Sequence, residues 1–147
     1  MNKQAEPFMV EASPQVGRDR AHESAHLHVA GEATYIDDIR ELDGTLHAAL
    51  GLSPIAHGKL VAIDIERLCA EPGVTAVYTA ADIPGVNDVG PIVHGDDPIL
   101  ADGVVHYLGQ PMFAVIAADR RIARRVAARA KEFVTIETLP ALLTARD

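Results

Sequence analysis

Five short apolar runs follow residue 44, and they limit the folds open to this chain more than any other feature. Each run is rich in β-branched residues or alternates apolar with polar residues, as strands do. The runs cover residues 45–53, 59–65, 74–79, 112–118 and 133–138. Strands this short must pair and bury at least one face, so the sequence predicts a domain built around a sheet.

A segment between the last two runs has the periodicity of a helix instead. It reads DRRIARRVAARAKE, with Asp119 as a candidate N-cap and with Ile122 and Val126 on one face. A shorter helix is predicted over residues 65–70. The predicted class is therefore α+β: a mixed sheet of short strands, one long amphipathic helix and one or two short helices.

Length and charge exclude several classes of protein. A chain of 147 residues with 48% hydrophobic residues suits one domain, and its net charge of -8 argues against nucleic acid as a partner. No apolar run approaches the ~20 residues that span a membrane, and the single cysteine cannot form an internal disulfide. We expect a flexible leader over residues 1–21, a domain over residues 22–147 and a cytoplasmic location.

A long segment without strand or helix periodicity lies in the middle of the domain. Residues 84–103 are rich in Gly, Pro and Asp, and such a segment is longer than most connections in a small domain. It could form a surface that docks on another domain, or it could be a loop with a short hairpin of its own. The sequence leaves both interpretations open.

The most misleading motif lies near the start of the predicted domain. His22, Glu23 and His26 match H-E-x-x-H, in which two histidines on one helical face bind zinc and the glutamate activates water. That chemistry needs a supported helix and a third ligand, yet the following HLHVAG, residues 26–31, favours extended backbone and His28 is too close to be that ligand. We therefore predict a chance match and no metal site.

Two adjacent acids, Asp37 and Asp38, also invite a catalytic interpretation. Neighbouring side chains point in different directions in strands and in helices, so these two cannot easily converge on one substrate atom. Asp side chains in such places more often accept hydrogen bonds from nearby backbone N–H groups and form a turn. We predict a turn that leads towards Asp43-Gly44.

Other candidate sites are equally weak. Ser53 and His57 do not form the G-x-S-x-G elbow of a nucleophile, and we expect a turn between strands there. Cys69 has no neighbour that would activate its thiol, and we expect it to be buried. The spacing of the glycines in residues 84–103 does not match a phosphate-binding loop. No catalytic, cofactor-binding or metal-binding residue is assigned.

The predicted long helix carries most of the local positive charge. Six of the 13 basic residues lie in it: Arg120, Arg121, Arg124, Arg125, Arg129 and Lys131. This face could bind an acidic partner surface through bidentate arginine contacts, or it could simply be solvated.

Several stretches, taken together and in order, resemble a known family. They include GEATYIDD at residues 31–38, PGV at 72–74, ADIPG at 81–85 and GQP at 109–111. Together they resemble the α/β hammerhead domain at the start of the molybdenum-binding (large) subunit of bacterial-type xanthine dehydrogenases, in the xanthine dehydrogenase and aldehyde oxidase family. The resemblance covers nearly all of residues 22–147 and assigns Gln110 to a turn of the hammerhead itself.

The resemblance implies a role for the chain within a larger enzyme. Enzymes of this kind oxidise hypoxanthine and xanthine to urate with NAD as acceptor, and they use a molybdopterin cofactor, 2Fe-2S clusters and FAD. The family's catalytic and molybdopterin-binding residues lie after the hammerhead, so the resemblance implies an inactive scaffold fragment, from a split enzyme. Its partners would be the molybdopterin-binding domains of the same subunit and an iron–sulfur/FAD subunit.

Three alternatives remain open at this stage. The chain could be the hammerhead of an aldehyde oxidase or a related molybdenum hydroxylase. It could be an autonomous binding module with a concave polar pocket, or a small metallohydrolase that uses His22, Glu23 and His26.

Overall fold

The computed structural model describes residues 17–93, 95–141 and 144, and the chain divides into two compact units, Met1–Glu41 and Leu42–Asp147. In the first unit, helix α1 spans Ala25–Ala30 and a single 3-10 turn spans Ile36–Asp38. Gly31 ends α1 with a left-handed backbone, φ 71°, which a residue without a Cβ adopts freely. The prediction of extended backbone over residues 26–31 is wrong, because residues 25–30 are helical and Gly31 terminates that helix.

Among the described residues, the second unit contains six strands and two α-helices. In chain order they are β1 (His47–Leu52), β2 (Gly58–Ile63), α2 (Ile65–Cys69), β3 (Val74–Thr79), β4 (Val104–Val105), β5 (Pro111–Ala117), α3 (Arg120–Ala127) and β6 (Val134–Thr138). The five predicted strands and both predicted helices of this unit are present. The two-residue strand β4, at the end of the long loop, was not predicted.

The strands form two sheets of three strands each, in the orders β1-β5-β3 and β4-β2-β6. Every pairing between them is antiparallel. The α+β class is thus confirmed, while the single mixed sheet is replaced by two small antiparallel ones. Within the described part of the chain, no strand pairs with its neighbour in sequence, so each pairing joins distant segments, and the local sequence pattern does not specify strand direction.

Helix α3 begins where the sequence predicts. The carboxylate of Asp119 accepts the backbone N–H of Arg121 at 2.7 Å, which satisfies one of the free donors at the helix start. The helix is eight residues long, shorter than predicted, and a 3-10 turn over Ala130–Glu132 follows it. The buried side chain of Phe133 follows this turn and comes just before β6.

The core lies between the first sheet and α3, with contributions from α2 and from the end of the long loop. Its buried members are Leu68, Ala101, Val105, Met112, Phe113, Val115, Val126, Ala127, Ala130 and Phe133. No buried side-chain polar atom among the described residues lacks a hydrogen-bond partner. The core of the second unit is therefore apolar. The buried polar side chains that the structure describes have hydrogen-bond partners.

Candidate functional site

The first sheet has two apolar faces, and they differ in what covers them. Opposite residues in an antiparallel pair lie on the same face, so the strand registers define both faces. The inner face consists of Ala49, Gly51, Val77, Thr79, Phe113 and Val115. The outer face consists of Ala48, Leu50, Ala76, Tyr78, Ala114 and Ile116.

The inner face is packed against the core. Phe113 and Val115 are fully buried, and Ala49 and Val77 pack against the buried cluster. Gly51 permits this packing, because a Cβ at that position would lie 2.2 Å from the ring of Phe113. The inner face therefore tolerates little change in volume.

The outer face belongs to no such cluster. Leu50 and Tyr78 retain 49% and 51% of their surface exposed, although each neighbours Ala114 in the centre of the sheet. A sheet with one solvated face normally places polar residues on that face. Six apolar residues on this face instead form a patch of the kind that marks a contact surface.

The loop of residues 84–103 adds further exposed apolar side chains. They are Val86, Val89, Ile92, Val93 and Ile99, with exposed fractions from 40% to 88%. An exposed apolar loop in a small domain is typical of a segment that meets another protein surface.

Side-chain hydrogen bonds hold much of this loop in one conformation. The carboxylate of Asp88 accepts the N–H groups of Gly90 and Gly95 at 3.1 and 2.7 Å, and that of Asp97 at 3.3 Å. The amide of Asn87 donates to the carbonyl of Leu100 and accepts its N–H. Polar side chains thus replace regular secondary structure here.

The turn before β5 connects the long loop to β1. Gln110 is buried, and its side-chain oxygen accepts the N–H of His106 at 2.7 Å. Its carbonyl accepts the N–H of Ser53, and the carbonyl of Pro111 accepts that of Ala101. Gln110 is engaged within the turn, as the resemblance implied.

The two adjacent acids lie in the first unit. Asp37 and Asp38 belong to the single 3-10 turn, and Asp38 accepts the backbone N–H of Tyr35 at 3.0 Å. The predicted turn is therefore present. The carboxylate of Asp38 therefore stabilises the backbone of this turn.

The H-E-x-x-H residues do not share one helical face. Helix α1 begins at Ala25, so His22 and Glu23 precede it and only His26 lies on it. The ring of His22 accepts the N–H of Ser24, while His28 bonds to the hydroxyl of Tyr35 at 2.8 Å. Within the described residues, no three His, Cys, Asp or Glu side chains form a group that could hold a metal ion.

Ser53 and His57 are engaged separately. The hydroxyl of Ser53 donates to the carbonyl of Ile55 at 2.8 Å, in the turn between β1 and β2. The Nδ1 atom of His57 lies 2.6 Å from the carbonyl of Pro140, which can only accept, so this nitrogen carries the proton. The two side chains support the turn and the end of β6.

The prediction that Cys69 is buried is wrong. Its side chain is exposed at the end of α2. That helix has five residues and buries only Leu68, and the next residue on a helix points about 100° away from it.

The arginines of α3 and the following turn divide into paired and unpaired groups. Arg121 bonds to Asp119, while Arg129 bonds to Glu71 and Glu132 and lies over the ring of Phe133. The Arg121 side chain and backbone N–H lower the pKa of Asp119 to about 2. The other basic residues of this region form no salt bridge with a described residue, and two of them, Arg124 and Lys131, line a groove beside β1.

Comparison with protein families gives a match over residues 30–139. The matching family is the aldehyde oxidase and xanthine dehydrogenase a/b hammerhead domain. This chain belongs to that family. The hammerhead domain predicted from the sequence is therefore confirmed.

Relatives of this hammerhead domain are much longer proteins. It is 37% identical over 139 residues to the xanthine dehydrogenase of Oryza sativa subsp. japonica, which covers 95% of this chain and 10% of that protein. It is 39% identical over 130 residues to nicotinate hydroxylase of Emericella nidulans, covering 88% of this chain and 9% of the relative. The chain thus spans about a tenth of the curated relatives that it matches.

Solved structures agree with this assignment. The aldehyde oxidoreductase from Desulfovibrio desulfuricans matches with a TM-score of 0.70 and 30% identity, over 84% of this chain and 15% of that one. The reconstituted CO dehydrogenase from Oligotropha carboxidovorans matches with a TM-score of 0.69 and 36% identity, over 87% and 16%. Among the described residues, the hammerhead has no helix both long and apolar enough to cross a membrane.

Sequence reasoning missed the exposed apolar outer face. Its signal was present in MFAVIAA, residues 112–118, where apolar residues occupy both alternating sets of positions. Such a run is typical of a strand buried on both sides, whereas α3 covers only one. The sequence therefore indicated apolar residues on both sides of this strand, but not which side α3 covers.

Proposed function

We propose that this chain is the scaffold hammerhead of the molybdenum-binding subunit of a xanthine dehydrogenase. The whole enzyme would oxidise hypoxanthine and xanthine to urate, with NAD as acceptor, in the cytoplasm. In this proposal residues 22–147 form the domain, residues 1–21 form a leader, and the isolated chain is inactive. The xanthine dehydrogenases among its relatives support this choice of reaction.

The observation that carries the proposal is the uncovered outer face of the first sheet. A contiguous apolar face that is exposed to solvent favours association with another apolar surface. We therefore expect a further layer of polypeptide to cover it. About nine tenths of the relative from Oryza sativa lies outside the part that matches this chain. A parent protein of similar length would have enough polypeptide to form that layer. The loop of residues 84–103 would extend the same contact.

The covering layer would come from the molybdopterin-binding domains of the same subunit, and an iron–sulfur/FAD subunit would complete the enzyme. Molybdopterin, the 2Fe-2S clusters and FAD do not fit the described residues of this chain. The groove between β1 and α3 is lined chiefly by apolar side chains, and no group of acids, His or Cys among the described residues suits a metal. The hammerhead would therefore support the enzyme through packing.

A direct test compares the 147-residue chain with the complete subunit, assembled with its iron–sulfur/FAD subunit. We expect xanthine-dependent NAD reduction from the assembly and none from the chain alone. Activity of the isolated chain, or a complete reading frame that ends near Asp147, would contradict the proposal.

Substitutions on the outer face sharpen this test. Leu50→Asp with Tyr78→Asp places two charges on the surface that must be covered, and should reduce the yield of assembled enzyme severalfold. The control is Thr135→Asp, at an exposed position of β6 in the second sheet. Equal losses from the control would show that a new charge on either sheet is harmful.

An aldehyde-oxidising parent enzyme is the second candidate. It is supported by the structural match to the Desulfovibrio desulfuricans aldehyde oxidoreductase. The same assembly, assayed with an aldehyde in place of xanthine, distinguishes the two substrates. Turnover of the aldehyde without turnover of xanthine would select this alternative.

A further inference from the structure

A groove of about 620 Å³ runs along the free edge of β1, beside α3 and the 3-10 turn that follows it. Its volume lies within the range of sites that bind peptides or small molecules. The lining from the strand side is Ala48, Ala49, Leu50, Leu52 and Pro54, and the lining from the helix side is Arg124, Ala127, Ala128, Ala130 and Lys131.

The strand that forms one wall has an unused set of backbone groups. Strand β1 is at the edge of its sheet, and among the described residues only β5 pairs with it. In an antiparallel pair, half of the N–H and C=O groups of an edge strand point away from the partner. Six residues therefore offer a pairing surface of roughly 20 Å.

The opposite wall is small, apolar and positively charged at its rim. Ala127 and Ala128 leave room for the side chains of an incoming segment, and Arg124 and Lys131 add two cations. Neither cation forms a salt bridge with a described residue, unlike Arg121 and Arg129. In a chain of net charge -8, these two cations favour an acidic partner group.

We propose that this groove binds an extended segment of the parent polypeptide that adds a fourth strand to the first sheet beside β1. The segment would alternate apolar side chains with at least one carboxylate, and this carboxylate would bind Arg124 and Lys131. The inference rests on the proposed function, since the segment lies outside this chain. A free fatty acid would match the apolar wall and the cations, but it has no backbone groups to pair with β1.

Amide hydrogen exchange tests the pairing directly. Exchange at residues 48–52 is measured in the 147-residue chain and in the longest native polypeptide that contains it. We expect those amides to exchange at least about tenfold more slowly in the longer polypeptide, because an added strand protects the edge. Equal exchange in both would overturn the inference.

A pair of charge reversals tests the carboxylate. Arg124→Glu with Lys131→Glu should remove the extra protection of β1 in the longer polypeptide. Arg120→Glu with Arg125→Glu is the matched control, since these exposed cations lie on the same helix outside the groove, and it should retain that protection. Loss in both pairs would overturn the specific role of the groove. Unchanged exchange at β5, which is paired on both sides, confirms that each variant is folded.

Two further outcomes separate this inference from the proposed function. If Leu50→Asp with Tyr78→Asp disrupts assembly while β1 stays unprotected in the wild-type polypeptide, the scaffold role survives and strand addition is wrong.

Decanoate is the probe for a small-molecule site. If it binds the 147-residue chain through Arg124 and Lys131, and β1 exchanges equally in both polypeptides, the groove is a fatty-acid site.

Discussion

The two faces of the first sheet are built from the same strands and similar side chains, yet they have opposite environments. The inner face buries Phe113 and Val115 completely, whereas the outer face leaves about half of Leu50 and Tyr78 exposed. Hydrophobic composition alone therefore does not determine burial in this domain. The deciding factor is the presence of a covering layer, which α3 supplies on one side only.

Under the proposed function, this difference separates what folds the domain from what would connect it to a larger protein. The inner face, α3 and the buried Phe133 supply the apolar burial that holds the second unit together. The outer face contributes little to that burial until something covers it. Substitutions on the two faces should therefore change different properties; three variants on these faces test the distinction, and one at the cap of α3 is compared with them.

The largest effect is expected from truncation of the inner face. Phe113→Ala removes a fully buried ring and leaves a cavity, so it should lower the free energy of unfolding by about 3–5 kcal/mol. Urea denaturation of the 147-residue chain measures this change. A loss below about 1 kcal/mol would mean that the inner face is not the centre of the core.

Overpacking of the same face should have the next largest effect. Gly51→Ala places a Cβ within 2.2 Å of the buried Phe113 ring, and the repacking should cost about 1–3 kcal/mol. Gly85→Ala is the matched control, because a Cβ there meets no atom within 4 Å, and it should be neutral or slightly stabilising. Similar losses from both variants would implicate glycine flexibility in place of packing.

The cap of α3 should make a smaller, pH-dependent contribution. The bonds from Arg121 lower the pKa of Asp119 from 3.8 to about 2, so Asp119 stabilises the fold above its unfolded pKa. That contribution is lost as the pH falls from about 4 to about 2.

Asp119→Ala should lower the melting temperature by a few degrees at pH 7, and by less at pH 2. Asp119→Asn keeps a capping oxygen and should lie between the variant and the wild type at pH 7. A constant difference between wild type and Asp119→Ala from pH 7 to pH 2 would contradict the assigned role of this carboxylate.

The smallest effect on stability is expected from the outer face. Leu50→Ser removes an apolar group that is already half exposed, so the 147-residue chain should change by no more than about 0.5 kcal/mol. The same urea experiment measures it beside Phe113→Ala. A loss comparable to that of Phe113→Ala would remove the distinction between the two faces.

Much of the fold could be predicted because its strands are short, apolar and separated by turn residues. The predicted strand at residues 74–79 matches β3 at both ends, and the other four differ by a few residues at most. The Asp119 cap was also recognisable, since its position before an amphipathic segment determines its role. The family followed from the order of several short motifs.

The failures arose where tertiary context or short length decided the structure. Residues 26–31 were predicted to be extended, yet residues 25–30 form α1, a helix of six residues and therefore too short for a periodic pattern. Cys69 lies next to the buried Leu68, and a helix of five residues has no periodicity that would distinguish the two positions. The pairing of six strands into two sheets depends on contacts between distant residues, which local patterns do not specify.

The central claim is that the outer face is covered in the parent enzyme. Hydroxyl-radical footprinting of Tyr78 tests it most directly, in the 147-residue chain and in the complete native polypeptide. The account predicts ready oxidation of Tyr78 in the chain, where half of its surface is exposed, and strong protection in the complete polypeptide. Equal oxidation in both would contradict the claim and would leave the apolar outer face without its proposed role.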